Sequence, residues 1–426
     1  MDVKPQGGGD KAGDKAELTL GFIPLVDAAP LVVAKEKGFA ADVGLSLTLA
    51  RETSWANIRD RVMLGHFDAA HMLGPMPIAS TLGIGHVEVP MAAPFSLGLG
   101  GNAITLSPAV FAAMEAEGAT LAADPAAMGA ALARVVAGLR EAGRPALTLA
   151  VVHPFSGHNY ELRYWLASAG IDPDRDIRLI VLPPSFMVDA MLERQIDGFC
   201  VGEPWNSLAV EAGAGVIAVT KSALWRQGPE KVLGIRADFA ERAPATLAAL
   251  LRALYKAAQW AGDPDNREEL ARLLAAPALL GVPSETIARA LSGRLARRQG
   301  EAATGIADFL VFHDHAANFP WQSHALWFYS QMVRWGQTDY SPELAARARQ
   351  VYRPDLFRAA LAGTGIDLPR ASAKVEGALQ TATPVASRNG TMILGPDGFF
   401  DGRLFDPDEV EAYIRSFGIA GSSLAR

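Results

Sequence analysis

The chain has 426 residues, half of them apolar and a fifth charged, with 41 glycines, 27 prolines and one cysteine. That composition belongs to a folded globular protein of more than one domain and excludes disordered, collagen-like and disulfide-stapled classes. Thirty-nine basic against 46 acidic residues give a net charge of −7, the wrong sign for a protein that coats nucleic acid, so an anionic ligand requires a local positive site.

Residues 1–16 read as a flexible polar leader rich in Gly, Asp and Lys. They lack the basic start and apolar run of about 7–15 residues that mark a secretory signal, and no stretch of about 18 apolar residues follows to span a bilayer. The expectation is a cytoplasmic chain with no membrane contact. Residues 18–25 alternate as a strand, and 27–38 read as a helix closed by Gly38. A strand at 45–49, a helix at 54–64 ending at Gly65, a short strand ending at His71 and the Pro-rich turn 74–77 continue a βαβαβα order, which predicts a parallel sheet with helices on its faces. Residues 88–106 read as an extended crossover.

Helices are expected over 109–142, with breaks at Gly138 and Gly143, before a strongly apolar strand at 146–152 opens a second unit. That unit continues as helix 159–169, strand 177–182, helix 185–195 and strand 198–201. From about 241 the chain is mostly helical, with an aromatic patch at 321–328 and a polar, Gly-containing tail at 369–398. The organisation this predicts is an α/β fold of two lobes with open, parallel-type sheets. After the leader, 17–106 and about 225–426 form a discontinuous first lobe, and about 107–224 form the second. Strand C-termini and helix N-termini then face a shared cleft, where ligands of such sheets sit, and clamshell closure is the expected motion.

Several turns leaving strands carry polar or aromatic residues. Ser54 suits a helix cap, and Gly157-His158 stands just ahead of the next helix, so both turns offer backbone N–H groups to an anion. Trp55 suits core packing as well as a pocket wall with an indole donor. His153 and His158 suit either satisfied histidines or ligand donors, and Lys231 either an exposed lysine or the point charge an anion needs. Cys200 reads as a buried thiol. His313 and His315 share one strand face but lack a third ligand and the His-Glu-x-x-His spacing, so no metal is expected. With no Gly-x-Ser-x-Gly elbow, phosphate-binding Gly-Lys loop or Cys-x-x-Cys pair, the sequence supports no catalysis and no cofactor.

The chain resembles the nitrate- and bicarbonate-binding proteins of the NrtA/CmpA type, within the periplasmic-binding-protein superfamily. The words that carry this are Leu20-Gly21-Phe22-Ile23-Pro24-Leu25-Val26-Asp27, Thr53-Ser54-Trp55-Ala56-Asn57-Ile58-Arg59-Asp60, Asp68-Ala69-Ala70-His71-Met72-Leu73-Gly74-Pro75-Met76-Pro77, Gly202-Glu203-Pro204-Trp205-Asn206 and Pro229-Glu230-Lys231-Val232-Leu233-Gly234. They extend over about 17–418 and imply the two-lobed type II fold with its ligand between the lobes. The polar leader makes the chain similar to the cytoplasmic NasS branch. For that branch the resemblance implies a nitrate/nitrite sensor that holds a NasT-type ANTAR RNA-binding antiterminator until the anion binds, touching no nucleic acid itself. Residue by residue, the family's ligand-contacting tryptophan, loop glutamine, histidine and lysine fall on Trp55, Asn102, His158 and Lys231, with Asn102 standing where Gln is expected. Lys231 favours nitrate or nitrite, because the bicarbonate binders are expected to carry an acidic residue and calcium there. The alternative is the binding component of a nitrate or bicarbonate ABC transporter. A sulfonate binder shares the cleft, whereas a thiamine-pyrimidine-forming enzyme needs a cysteine-rich motif that one cysteine cannot supply.

Overall fold

A computed structural model describes residues 15–421. In chain order, β1 (Ala16–Phe22), α1 (Ala29–Glu36), β2 (Leu45–Arg51), α2 (Trp55–Met63), β3 (Ala69–Leu73), α3 (Met76–Leu82) and β4 (Met91–Ser96) build the first lobe. The chain crosses through β5 (Leu99–Gly100) into the second lobe, made of β6 (Asn102–Leu106), α4 (Pro108–Ala116), α5 (Pro125–Glu141), β7 (Leu147–Val151), α6 (Gly157–Ser168), β8 (Ile177–Val181), α7 (Met187–Leu192), β9 (Gly198–Gly202), α8 (Trp205–Glu211), β10 (Val216–Thr220) and α9 (Lys221–Leu224). It returns as β11 (Lys231–Arg236), followed by α10 (Ala237–Arg242), α11 (Pro244–Gly262), α12 (Arg267–Leu274), α13 (Ser284–Ser292) and α14 (Gln322–Arg334).

The sheets are mixed, where the sequence predicts parallel ones. The first has the order β2-β1-β3-β11-β4 and the second β10-β6-β9-β7-β8. In each, the strand beside one edge runs against both neighbours: β11 opposes β3 and β4, and β6 opposes β9 and β10. These reversed strands are the ones the chain makes as it arrives from the other lobe, so their first residues lie at the lobe junction. The stretch expected as a crossover over 88–106 is thus β4 in the first lobe, the short β5 at the crossing and β6 in the second lobe. Residues 102–106, expected in the first lobe, hydrogen-bond along their length to β9 of the second, because alternate apolar residues of Asn102–Leu106 pack under α4 and α5. Of the expected leader, residues 1–14 lie outside the described residues, and Ala16 already pairs with Leu45. Gly138 does not break α5, and the polar tail contains a hairpin pairing Thr383–Ala386 with Thr391–Leu394.

Capping explains where the two helices facing the junction start. Ser54 Oγ accepts the Asn57 N–H at 3.2 Å, and Ser156 Oγ accepts the Asn159 N–H at 3.0 Å, each satisfying one otherwise unpaired donor. Trp55 and His158 therefore occupy the first turns of α2 and α6.

One apolar core lies among β1, α1 and the helices α11–α13, and another inside the second lobe. A third runs from the first lobe through α14 to the second. All but one residue of α14 is buried, and the segment after it reaches α6, with the Tyr164 hydroxyl donating to Asp401 Oδ2 at 2.8 Å and Tyr160 to Gln337 Oε1 at 2.6 Å. The C-terminal region thus holds the helix that carries His158.

Candidate functional site

At the junction, the lobes meet through polar groups. Val26 N–H donates to Glu203 O at 2.9 Å, and the Trp205 indole donates to Pro24 O at 3.2 Å. Gly100 and Gly101, both in the left-handed region with φ of +77° and +84°, turn the chain into β6, and at Gly100 a side chain would strike the Phe309 carbonyl. They deliver Asn102 opposite Gly202. Lys231 opens β11 opposite Leu73, its neighbour Glu230 pinned by Gly74 N–H donating to Glu230 O at 2.8 Å.

The structure brings all four expected residues, Trp55, Asn102, His158 and Lys231, into one buried cluster. Asn102 Nδ2 donates to Glu230 Oε2 at 2.6 Å, and Lys231 Nζ donates to Glu230 Oε1 at 2.9 Å. Lys231 also pairs with Asp27 Oδ2 at 2.9 Å and stands 5.6 Å from the centre of the Trp55 ring. Because Asn102 spends its amide N–H on Glu230, its carbonyl accepts from His158 Nε2 at 3.1 Å. His158 Nδ1 is left without a hydrogen-bond partner, 3.6 Å from Glu230 Oε1. The Trp55 indole N–H is likewise buried with no acceptor, an arrangement that is costly unless a ligand supplies one.

Besides Glu230, four residues complete the cluster, and none of these five was singled out as a site residue in the sequence. His71 takes the Ile23 N–H on Nδ1 at 3.5 Å and directs Nε2 to Asp27 Oδ1 at 2.9 Å, while its ring meets Trp55 edge-on. Lys221 donates to Glu161 Oε1, to Glu230 Oε2 at 2.9 Å and to the Pro229 carbonyl at 2.6 Å. Asp27, Glu161 and Lys221 are buried, as the expected residues are. No sequence motif marks Glu161 or Lys221: they sit mid-helix and at a strand end among ordinary neighbours. His153, considered beside His158, instead closes its own turn by accepting the Phe155 N–H at 3.1 Å.

Burial pushes Asp27 up, but Lys231 and His71 outweigh it and hold its carboxyl down to about 2. Glu230 is held well below the carboxylate range by Lys221 and Lys231 against its burial. The same ion pairs raise both lysines despite desolvation. Burial, reinforced by Lys231 and Lys221 and opposed by Glu230, lowers His158 to about 3, and burial against the pull of Asp27 also depresses His71, so both imidazoles are neutral. Glu161 is lifted by burial to about 7. Two cations thus face two firm carboxylates and a third poised near neutrality. The N-termini of α2 and α6 both open onto this cluster and add partial positive charge.

Elsewhere, His313 Nδ1 contacts Asn318 Oδ1 at 3.2 Å and its ring meets Tyr255. Among the described residues, no group of three or more His, Cys, Asp or Glu side chains is placed to hold a metal ion, and no helix is long and apolar enough to cross a membrane.

Two α/β lobes joined by crossing strands, closing over a buried polar cluster at their sheet ends, define the periplasmic-binding-protein fold. The model of the NMT1-like family matches residues 11–275. The nitrate/nitrite binding protein NrtA of Synechococcus elongatus is 36% identical over 421 residues, covering 96% of this chain and 88% of NrtA. The nitrate import ATP-binding protein NrtC of Synechocystis is 37% identical, but the match covers 95% of this chain and 56% of NrtC, so the chain spans about half the length of that relative. The crystal structure of the periplasmic nitrate-binding protein NrtA from Synechocystis superposes with a TM-score of 0.82 at 31% identity, covering 95% of this chain and 99% of that one. The chain belongs to the NMT1-like family, in the group that contains NrtA.

Proposed function

We propose that this chain binds nitrate or nitrite between its lobes, as the solute-binding component of an ABC-type uptake system. The observation that carries this is the Trp55 indole N–H, buried without an acceptor beside Lys231 where two capped helices begin. A small, weakly hydrated planar monoanion supplies that acceptor and takes the remaining N–H of Lys231, which is charge-assisted and therefore strong. Kinship with NrtA points to the same ligand. Binding with lobe closure is the mechanism: the anion stabilises the closed form by bridging donors from both lobes.

The experiment is thermal unfolding with nitrate, nitrite, bicarbonate plus calcium, chloride and sulfate, on the natural chain and on Lys231→Ala. Ligand at about 100 times its Kd adds about 2.7 kcal/mol of apparent stability, so nitrate or nitrite raises the midpoint of the natural chain alone. No shift with either anion refutes the assignment. A sensor of the NasS type, cytoplasmic and releasing a NasT-type antiterminator on anion binding, would use the same site and closure. A pull-down of such an antiterminator with and without nitrate separates that reading from uptake, since only the sensor loses its partner when the anion is added.

A further inference from the structure

The charges around the site do not balance once an anion enters. Among the described residues its cations are Lys221 and Lys231, and they are in direct ion-pair contact with three carboxylates, Asp27, Glu161 and Glu230. None of these five residues is more than 6% exposed. With all three carboxylates ionised, the cluster already carries one negative charge, and a bound monoanion makes it two in a site that water does not screen. We propose that a proton is a second ligand of this site, taken from solvent onto the carboxylate of Glu161 when a monovalent oxyanion binds; this rests on the anion reading above.

Glu161 is the carboxylate placed to take it. Asp27 faces Lys231 and His71, and Glu230 faces both lysines and the Asn102 amide, so each is held ionised by several partners. Glu161 has one cation, Lys221 on α9, bonded to Oε1, while Oε2 is buried with no partner. The remaining groups that face it are Glu230 before β11, Asn102 on β6 and Cys200 on β9, with His158 three residues earlier on its own helix. None of these adds positive charge, because His158 is neutral and the thiol is raised by burial. Burial, with Glu230 adding to it against Lys221, already brings Glu161 to about 7, so one more nearby negative charge needs to add little to keep it protonated. Binding and protonation are then linked, each favouring the other by the same factor.

The test is calorimetric titration of the full chain with nitrate at pH 7.5 in buffers of different ionisation enthalpy, repeated across pH 6.0–8.5. Uptake makes the apparent heat depend on the buffer and weakens affinity by up to about tenfold per pH unit above pH 7, the limit for one linked proton. Glu161→Gln keeps a neutral, isosteric side chain beside Lys221; it is expected to bind nitrate with buffer-independent heats and a flat pH profile. An infrared difference spectrum reads the same event directly, as a protonated-carboxyl band that grows with nitrate in the natural chain and not in Glu161→Gln. Nitrate binding with no buffer dependence and no such band overturns the proton while leaving the anion reading intact. Uptake that persists in a folded Glu161→Gln overturns Glu161, pointing to His158 or to Glu203, which burial also raises to about 7. No nitrate heat at any pH overturns the anion reading, and this inference with it.

Discussion

Replacing Lys231 by Met keeps most of the side-chain volume and removes one of the two buried cations. Glu230 retains Lys221 at 2.9 Å and the Asn102 amide at 2.6 Å. Asp27 retains only His71 Nε2 at 2.9 Å, whose imidazole is neutral. Removing one partner of a buried ion pair costs about 3–5 kcal/mol. The low end, about 3 kcal/mol, applies because a single carboxylate is orphaned and can recover by taking up a proton. The pH dependence follows in sign. In the natural chain, Asp27 is held at about 2, below its ordinary 3.8, so its contribution is present above the ordinary value and is lost as pH falls toward 2. Without Lys231, burial raises that carboxyl instead, so the deficit of the variant is largest near pH 7.5 and shrinks as the pH drops toward 5. Adding Asp27→Asn to Lys231→Met removes the orphaned charge and is expected to restore more than half of the loss. Urea unfolding in nitrate- and chloride-free buffer, followed by tryptophan fluorescence and far-UV circular dichroism, measures both. A loss below about 1 kcal/mol that ignores pH, or a double variant no better than the sum of the singles, would refute the reasoning.

Trp55→Phe deletes a donor that has no partner in the protein, so the fold is expected to survive while nitrate affinity falls by about 10- to 100-fold, the worth of a hydrogen bond to a charged group; unchanged affinity by calorimetry would take Trp55 out of the site. Gly157→Ala and Gly138→Ala form a matched pair. A methyl at Gly157 runs into Glu230 Oε2, so α6 has to shift, lowering the unfolding midpoint and nitrate binding together; Gly138 faces open space inside α5, and alanine there stabilises by about 0.5–1 kcal/mol. Acid unfolding should be steep below pH 4.5. His158 and His153, held down to about 3 and 4 by burial, stay neutral in the fold and charge when unfolded, and Asp27 and Glu376, held to about 2, must be protonated to unfold. The buried carboxyls Glu161 and Glu203 pull the other way only above their ordinary values near 4.5, so a stability that stays level from pH 4.5 to 3 would contradict these assignments.

The two-lobe plan and most elements of the repeating units were legible because each strand is a short apolar run punctuated by Gly, Pro or a capping Ser, and those signals are local. The reversal of β6 and β11 was not legible. An isolated run such as Asn102–Leu106 has the same pattern whichever way its neighbours run, and its direction is set by where the chain re-enters a sheet. For the same reason the lobe boundary was drawn after residue 106 when the hydrogen bonds place that strand in the second sheet. Gly138 misled because glycine weakens a helix without having to end it; here the rest of α5 packs well enough to carry it.

The site divides along the same line. Trp55 and His158 follow capping serines and Lys231 begins a strand, positions from which a scaffold presents side chains, and the family resemblance assigned a ligand contact to each. Asp27 and His71 lie inside the family words without being picked out there, and Glu161 and Lys221 lie outside them, because what admits all four to the interior is compensation: each is tolerable there only because the others are present. Asp27 meets His71 within the first lobe and Glu161 meets Lys221 within the second, and the return of the chain at Glu230 and Lys231 into β11 joins the two pairs. The reversed strands are therefore what turns two ordinary sheet ends into a charged cage. The proposed proton carries a selectivity with it: two cations already matched by carboxylates are expected to admit a monoanion with a proton, whereas a dianion such as sulfate would bring a second charge that no further group among the described residues is placed to neutralise.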